Sequence, residues 1–93
     1  MLKNNNISEE SLSFALSSYN LYNKEKMKFQ IGLSSGLIGK IYYKRNDLYN
    51  TQEYMMTSIS NITEVVLEDP IFYKEYFSVL YEYEVYYLNI LII

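Results

Sequence analysis

The sequence predicts an all-α fold of about four antiparallel helices in one domain of residues 1–93, and three observations carry that expectation. Apolar residues recur at spacings of three and four along several segments, as a helix with one buried face requires. Helix-start signals stand at Ser8, at Asn46-Asp47 and, most strongly, at Asp69-Pro70. A chain of 93 residues with 49% hydrophobic content can close one core and not two.

Residues 1–7 turn polar almost at once and read as a frayed, disordered lead. Ser8 before Glu9 and Glu10 then offers a side-chain oxygen to free N–H groups and negative charge to the positive end of a helix dipole. Leu12, Ala15, Leu16 and Tyr19 give the segment 8–24 one apolar face.

Residues 27–44 admit two readings. Alternation of Met27, Phe29, Ile31 and Leu33 ahead of Ser34-Ser35-Gly36 fits a β-hairpin. Phe29, Leu33, Leu37 and Ile41 also recur every four residues, with Gly32, Gly36 and Gly39 on or beside the stripe, where small residues let two helices approach closely. Periodicity alone does not separate the two, because each helical glycine costs about 1 kcal/mol relative to alanine.

After the break at Asn46-Asp47, the stripe Leu48, Met55, Ile59, Ile62, Val66 predicts a third helix over 47–67. Its second half is rich in Thr, Ile and Val, which suit strands better, so an early end near Ser60-Asn61 is the alternative. At Asp69-Pro70 a capping carboxylate precedes a proline whose missing N–H is harmless in the first helical turn. In the fourth helix Lys74, Glu75, Ser78, Glu82 and Asn89 share an arc of roughly 100°. Apolar and aromatic residues cover the rest. The Tyr-Glu-Tyr-Glu run from Tyr81 leaves a strand over 81–93 as its rival.

Composition limits function. There is no cysteine and no histidine, which removes disulfides, thiolate zinc sites, thiol nucleophiles and the usual general base at neutral pH. No metal, cofactor or catalytic activity is expected. A net charge of −3 argues against direct nucleic-acid binding. Without a signal-like start, and with Ile90–Ile93 as the longest uninterrupted apolar run, the expectation is a cytoplasmic protein without a membrane partner. Twelve tyrosines and four phenylalanines are more rings than a core this size can hide. Surface tyrosine favours a protein interface, unless AT-rich coding bias alone supplied it.

Ile38-Gly39 followed by Tyr42, with Asn46-Asp47 at the turn, resembles one tetratricopeptide repeat, an antiparallel helix pair of about 34 residues. The likeness is best over 36–58. It weakens in the second helix, where Thr51 and Ser58 stand for small alanines and Met55 for an aromatic. The resemblance implies that residues 27–44 are helical, that Gly39 lets the second helix pack close and that Tyr42 fills the groove between helices. The first and fourth helices would then be halves of incomplete repeats. The chain is also similar to the C-terminal repeats of peptide-sensing transcription regulators of the RRNPP type, whose peptide lies in a concave groove. No DNA-binding domain accompanies them here, so a repeat-only fragment or decoy is what that resemblance implies.

On the tetratricopeptide frame the concave, ligand-binding face carries Leu33, Gly36, Lys40, Tyr43 and Lys44. Lys40 and Lys44 lie one turn apart and suit a shared carboxylate such as a peptide C-terminus, or else are two solvated lysines. Asn20, Asn23 and Asn50 suit a peptide backbone, or more commonly helix ends. Glu75, Glu82 and Glu84 read as solvated charge. Tyr83, Tyr87, Leu88, Leu91 and Ile92, in a tail that is apolar nearly all round, are the candidate interface for a second copy or another protein. The expected function is protein or peptide binding with homo-oligomerisation. The rival is a small inhibitor that occludes a larger partner through its Tyr-rich C-terminal helix.

Overall fold

Two nearly identical turns set the architecture. Each follows a helix with one residue in the left-handed region, Lys26 at φ 56° and Asn46 at φ 61°. In the first, the Met27 N–H donates to the Tyr22 carbonyl at 3.0 Å and the Lys26 N–H to that of Asn23 at 3.2 Å. In the second, the Asp47 N–H donates to Tyr42 and the Asn46 N–H to Tyr43, both at 3.0 Å. Both are Schellman ends, which satisfy the last carbonyls of a helix and reverse the chain within a few residues.

The computed structural model describes residues 2–92, and side chains for residues 9–89. Its elements are α1 (Leu2–Lys24), α2 (Lys28–Lys44), α3 (Leu48–Glu68), a 3-10 turn (Pro70–Phe72) and α4 (Tyr73–Ile92). The fold is all-α with four helices. Residues 28–44 form a helix and not a hairpin, α3 runs past Ser60-Asn61 to Glu68, and α4 continues through the segment for which a strand is the rival reading. Helix α1 begins at Leu2, ahead of the Ser8 signal, so the polar lead is helical where described. Leu91 and Ile92 of the expected interface lie outside the described side chains.

Asp47 caps α3 with its carboxylate, accepting from the Asn50 N–H at 3.2 Å and from the Asn50 side-chain amide at 2.8 Å. Asn50 is thus a helix-start residue. Asp69 accepts from the Ile71 N–H at 3.3 Å, with Pro70 at the first position of the turn.

The tightest packing is between α2 and α3. A Cβ placed on Gly32 would stand 2.6 Å from Ile62 Cγ1, and one on Gly39 2.7 Å from Met55 Sδ. Between them the Ser58 hydroxyl donates to the Gly32 carbonyl at 2.6 Å. Pairs 32 with 62 and 39 with 55 run in opposite senses, so the helices are antiparallel. Bare backbone at Gly32 and Gly39 is what lets α3 come this close.

On the other side of α2, Ile38 and Ile41 bury against Leu12 and Ala15 of α1, with Tyr42 and Tyr54 packed on the cluster. Tyr42 stacks on Tyr54 at 5.8 Å between centroids, and Tyr54 meets Tyr19 edge-on at 5.7 Å. Buried hydroxyls are answered locally: Ser35 donates to Ile31 O at 2.6 Å and Thr51 to Asp47 O at 2.8 Å.

Helix α4 lies at the margin, with no fully buried residue among those described. It packs chiefly on α3, and side chains of α4 and of the 3-10 turn before it also reach α2. Phe29 packs on Phe72 at 4.7 Å, Lys40 Nζ lies 3.7 Å from Glu82 Oε2, and the Tyr43 ring stacks on Tyr86 at 4.1 Å. Residue numbers rise together along this series, so α2 and α4 are parallel neighbours, with α3 crossing antiparallel behind. The molecule is a slab of 43 × 33 × 19 Å.

Candidate functional site

The parallel α2 and α4 leave a groove between them, because their contacts are concentrated at the two ends. Phe29 and Phe72 close one end, and the Tyr43–Tyr86 stack with the Asn89 amide donating to the Tyr43 hydroxyl closes the other. Between these ends lies a hollow of about 360 Å³. Gly32 and Gly36 lay bare backbone along it, Leu33, Leu37 and Lys40 form the α2 wall, and Lys74, Glu75, Ser78, Val79 and Glu82 form the α4 wall. Met55 of α3 reaches it from behind.

A second hollow of about 260 Å³ lies between α1 and α2, lined by Phe14, Ala15, Ser18, Tyr22, Gln30 and Ser34. Leu33 and Leu37 line both hollows. They form a ridge with a depression on each flank and are 45% and 49% exposed. Phe14, at the edge of the second hollow, is 75% exposed. The result is a contiguous apolar strip across α1 and α2.

Four expected ligand-binding residues fall in different places. Leu33 and Lys40 line the groove. Lys40 is already engaged by Glu82, across the groove rather than along its own helix. Tyr43 is used in holding α4, through Tyr86 and Asn89. Lys44 is exposed at the last turn of α2 and does not line either hollow.

The expected interface residues divide as well. Tyr83 and Tyr87 stack on each other at 5.7 Å and line a crevice against Thr51, Gln52 and Met55 of α3. Leu88 is 57% exposed. The outward face of α4 is instead Tyr73, Phe77, Tyr81 and Leu88, each at least half exposed. These residues recur at spacings of four and seven, one helical stripe.

The electrostatics of the groove are mixed. Lys40 and Glu82 are partly screened at 41% and 35% side-chain exposure, a setting in which an ion pair contributes modestly. Glu75 Oε2 is buried and has no hydrogen-bond partner among the described residues. Burial, then Glu82 and Tyr43, push the Tyr86 phenol above its ordinary range. Burial, then Tyr42 and Tyr19, do the same for Tyr54. Among the described residues no group of three acidic, histidine or cysteine side chains is arranged to hold a metal ion. No described helix is long and apolar enough to cross a membrane.

The groove's α4 wall was not legible as a site in the sequence, since Lys74, Glu75, Ser78 and Glu82 read there as one solvated polar stripe. The same stripe is what faces α2. Its narrowness was the available signal: a polar arc flanked on both sides by rings must have a neighbour on each flank.

No family model, curated protein or solved structure matches this chain.

Proposed function

We propose that this chain is a protein- or peptide-binding module without catalytic activity, working in the cytoplasm, whose ligand lies along the Leu33–Leu37 ridge and in the groove beside it. The observation that carries the reading is the exposure of those two leucines between two hollows. Exposed apolar ridges flanked by depressions are where a partner gains most from burial, because side chains from its own surface can fill the hollows.

The tetratricopeptide likeness supports the same reading. Parallel first helices beside one concave strip, with an antiparallel second helix behind, is the arrangement in which that repeat presents ligands. Its dimensions are longer here: α2 starts at Lys28 and α4 at Tyr73, a period of about 45 residues against about 34. The proposal is therefore a long-helix hairpin module, with the binding mode carried by the exposed strip rather than by the repeat motif.

The test is selection of phage-displayed random peptides on the purified chain, followed by binding of the enriched peptides to a Leu33→Asp, Leu37→Asp variant. Both leucines are surface residues, so circular dichroism is expected to be unchanged while binding falls by more than tenfold, an effect of about 1.4 kcal/mol or more. Equal binding to the variant places the ligand elsewhere and sinks the proposal.

A second reading rests on the outward stripe of α4. Tyr73, Phe77, Tyr81 and Leu88 offer an unpaired face of the kind that a second copy or an occluded partner covers. If it mediates self-association, light-scattering mass rises on a tenfold concentration increase, and Phe77→Asp with Tyr81→Asp returns the monomer. A monomer at both concentrations removes self-association from the reading.

A further inference from the structure

We infer that the outward face of α4 pairs with the same face of a second copy of this chain, antiparallel about a two-fold axis that passes beside Val79. The inference rests on the reading of that face as a self-association surface, and adds the orientation and register in which two copies meet.

The face is first a matter of spacing. Lys74, Phe77, Tyr81, Glu84 and Leu88 follow one another at intervals of three, four, three and four. That alternation keeps side chains on one side of a helix and is the spacing of the contact seam in a coiled coil. All of these residues are exposed, while α4 packs on the rest of the molecule through its other side, chiefly against α3. Two rings and a leucine on one open strip resemble the core of an interface more than a solvated surface.

The seam reads the same from either end. Phe77 and Tyr81 lie two residues on either side of Val79, Lys74 and Glu84 five, and Pro70 and Leu88 nine. When two such helices run antiparallel with Val79 at the same height, Phe77 of one copy stands level with Tyr81 of the other. Lys74 then stands level with Glu84, and Pro70 with Leu88. Each layer occurs twice by symmetry, which is the self-complementary arrangement of a closed dimer. Aromatic layers form the centre, and the charged layers lie outside them.

Charge sets the orientation. Lys74 and Glu84 are opposite in sign, and the ion pairs among the described residues are made by other side chains: Lys28 with Glu64 and Glu68, Lys40 with Glu82, and Arg45 with Glu9. Lys74 also borders the α2–α4 hollow, and its long stem lets the ammonium reach the outer face. In the antiparallel register each ammonium meets a carboxylate of the second copy. In a parallel register Lys74 would face its own copy and Glu84 its own, two like-charge layers that oppose association. Polar residues within an otherwise apolar seam select register in this way. The exposed face of α1 is a poorer match, because its Glu10 and Lys24 stand fourteen residues apart against ten for Lys74 and Glu84, so at most one charge is answered at a time.

The test is light-scattering mass after size exclusion of the full chain and of two single charge reversals, Lys74→Glu and Glu84→Lys, each alone and then as an equimolar mixture. The unsubstituted chain is expected to be a dimer at the higher of two concentrations tenfold apart. Each reversal alone puts like charges in both outer layers of its own dimer, so the dissociation constant should rise about tenfold or more. The mixture should recover the dimer mass, because every outer layer of the mixed pair again joins opposite charges. Both positions are exposed, and recovery on mixing itself shows that the two variants are folded. An unsubstituted chain that is monomeric at both concentrations overturns this inference together with self-association. A dimer that survives Phe77→Asp with Tyr81→Asp places association elsewhere and also overturns both. A dimer lost in that aromatic variant but unchanged in both single reversals, or not restored by the mixture, keeps α4 as the self-association face and overturns the antiparallel register.

Discussion

Gly32→Val lowers the stability of this chain by about 2–3 kcal/mol, which is expected to appear as a fall of roughly 2 M in the urea midpoint at unchanged slope. The reason is geometric. A Cβ at position 32 stands 2.6 Å from Ile62 Cγ1 and meets Ile62 Cδ1 as well, with the Ser58 carbonyl at 3.4 Å behind. Ile62 is fully buried and β-branched, so it cannot swing away, and the helices must separate. Separation would also stretch the 2.6 Å bond from the Ser58 hydroxyl to the Gly32 carbonyl. Against this, removing a helical glycine returns only a few tenths of a kcal/mol when valine replaces it. Gly36→Ala is the control. Its Cβ meets only Ser58, at 3.1 Å to Oγ and 3.8 Å to Cβ, and the gain in helix propensity of up to about 1 kcal/mol offsets a small adjustment. Near-native stability is expected there. Equal losses at positions 32 and 36 would show that the α2–α3 separation is not set at Gly32.

That contrast bears on what a reader of the sequence could see. The four-residue recurrence of Phe29, Leu33, Leu37 and Ile41 and the glycines beside it correctly mark a helix, yet the buried residues of α2 are Ile31, Ile38 and Ile41 with Gly32, Ser34, Ser35 and Gly39. The most apparent stripe is therefore not the core stripe: Leu33 and Leu37 belong to the open face. Small residues occupy the buried face because α3 comes so close, and closeness is a property of the pair. The strand-like alternation over 27–33 arises from the same packing, since α2 is flanked by α1, α3 and α4 and has use for apolar residues on several sides.

Capping was local and so was readable. Asp47 and Asp69 each act within three residues of themselves. The orientation of α4 was not. The 3-10 turn over Pro70–Phe72 shifts the phase between the start signal and the helix proper, and the inward face of α4 is set by its packing on α3 and by Tyr43 of α2, which pairs with Tyr86 and Asn89 far along the chain. Counting from the start signal alone therefore gives the right helix and leaves open which tyrosines look outward. The same distance in sequence separates Lys40 from Glu82.

Ile38→Ala is expected to remove about 3–4 kcal/mol, with the loss concentrated in α1. Ile38 is fully buried and joins Leu12 and Ala15 of α1 to Ile41 of α2 in one cluster. Those are the two apolar side chains of α1 that are buried among the described residues, while Phe14 and Leu21 remain exposed. Leu16 and Tyr19 pack at the edge of the same cluster, and the ion pair of Arg45 with Glu9 at 3.1 Å involves a carboxylate 72% exposed and contributes little. Deleting the centre of the cluster leaves a cavity under α1 that Leu12 cannot fill from its own helix. Amide exchange should thus become fast over residues 9–24 before α2 and α3 lose protection, since their contact runs through Gly32, Ser58, Gly39 and Met55 on the opposite face. Uniform acceleration in all four helices would mean instead that the slab unfolds as one unit. The functional consequence follows from the same geometry. A loosened α1 withdraws Phe14, Ala15 and Ser18 from one flank of the Leu33–Leu37 ridge and leaves the α2–α4 hollow in place. Ligands held by the groove alone should then weaken less than ligands that span the ridge, and the ratio of the two losses measures how far a bound segment reaches across α2.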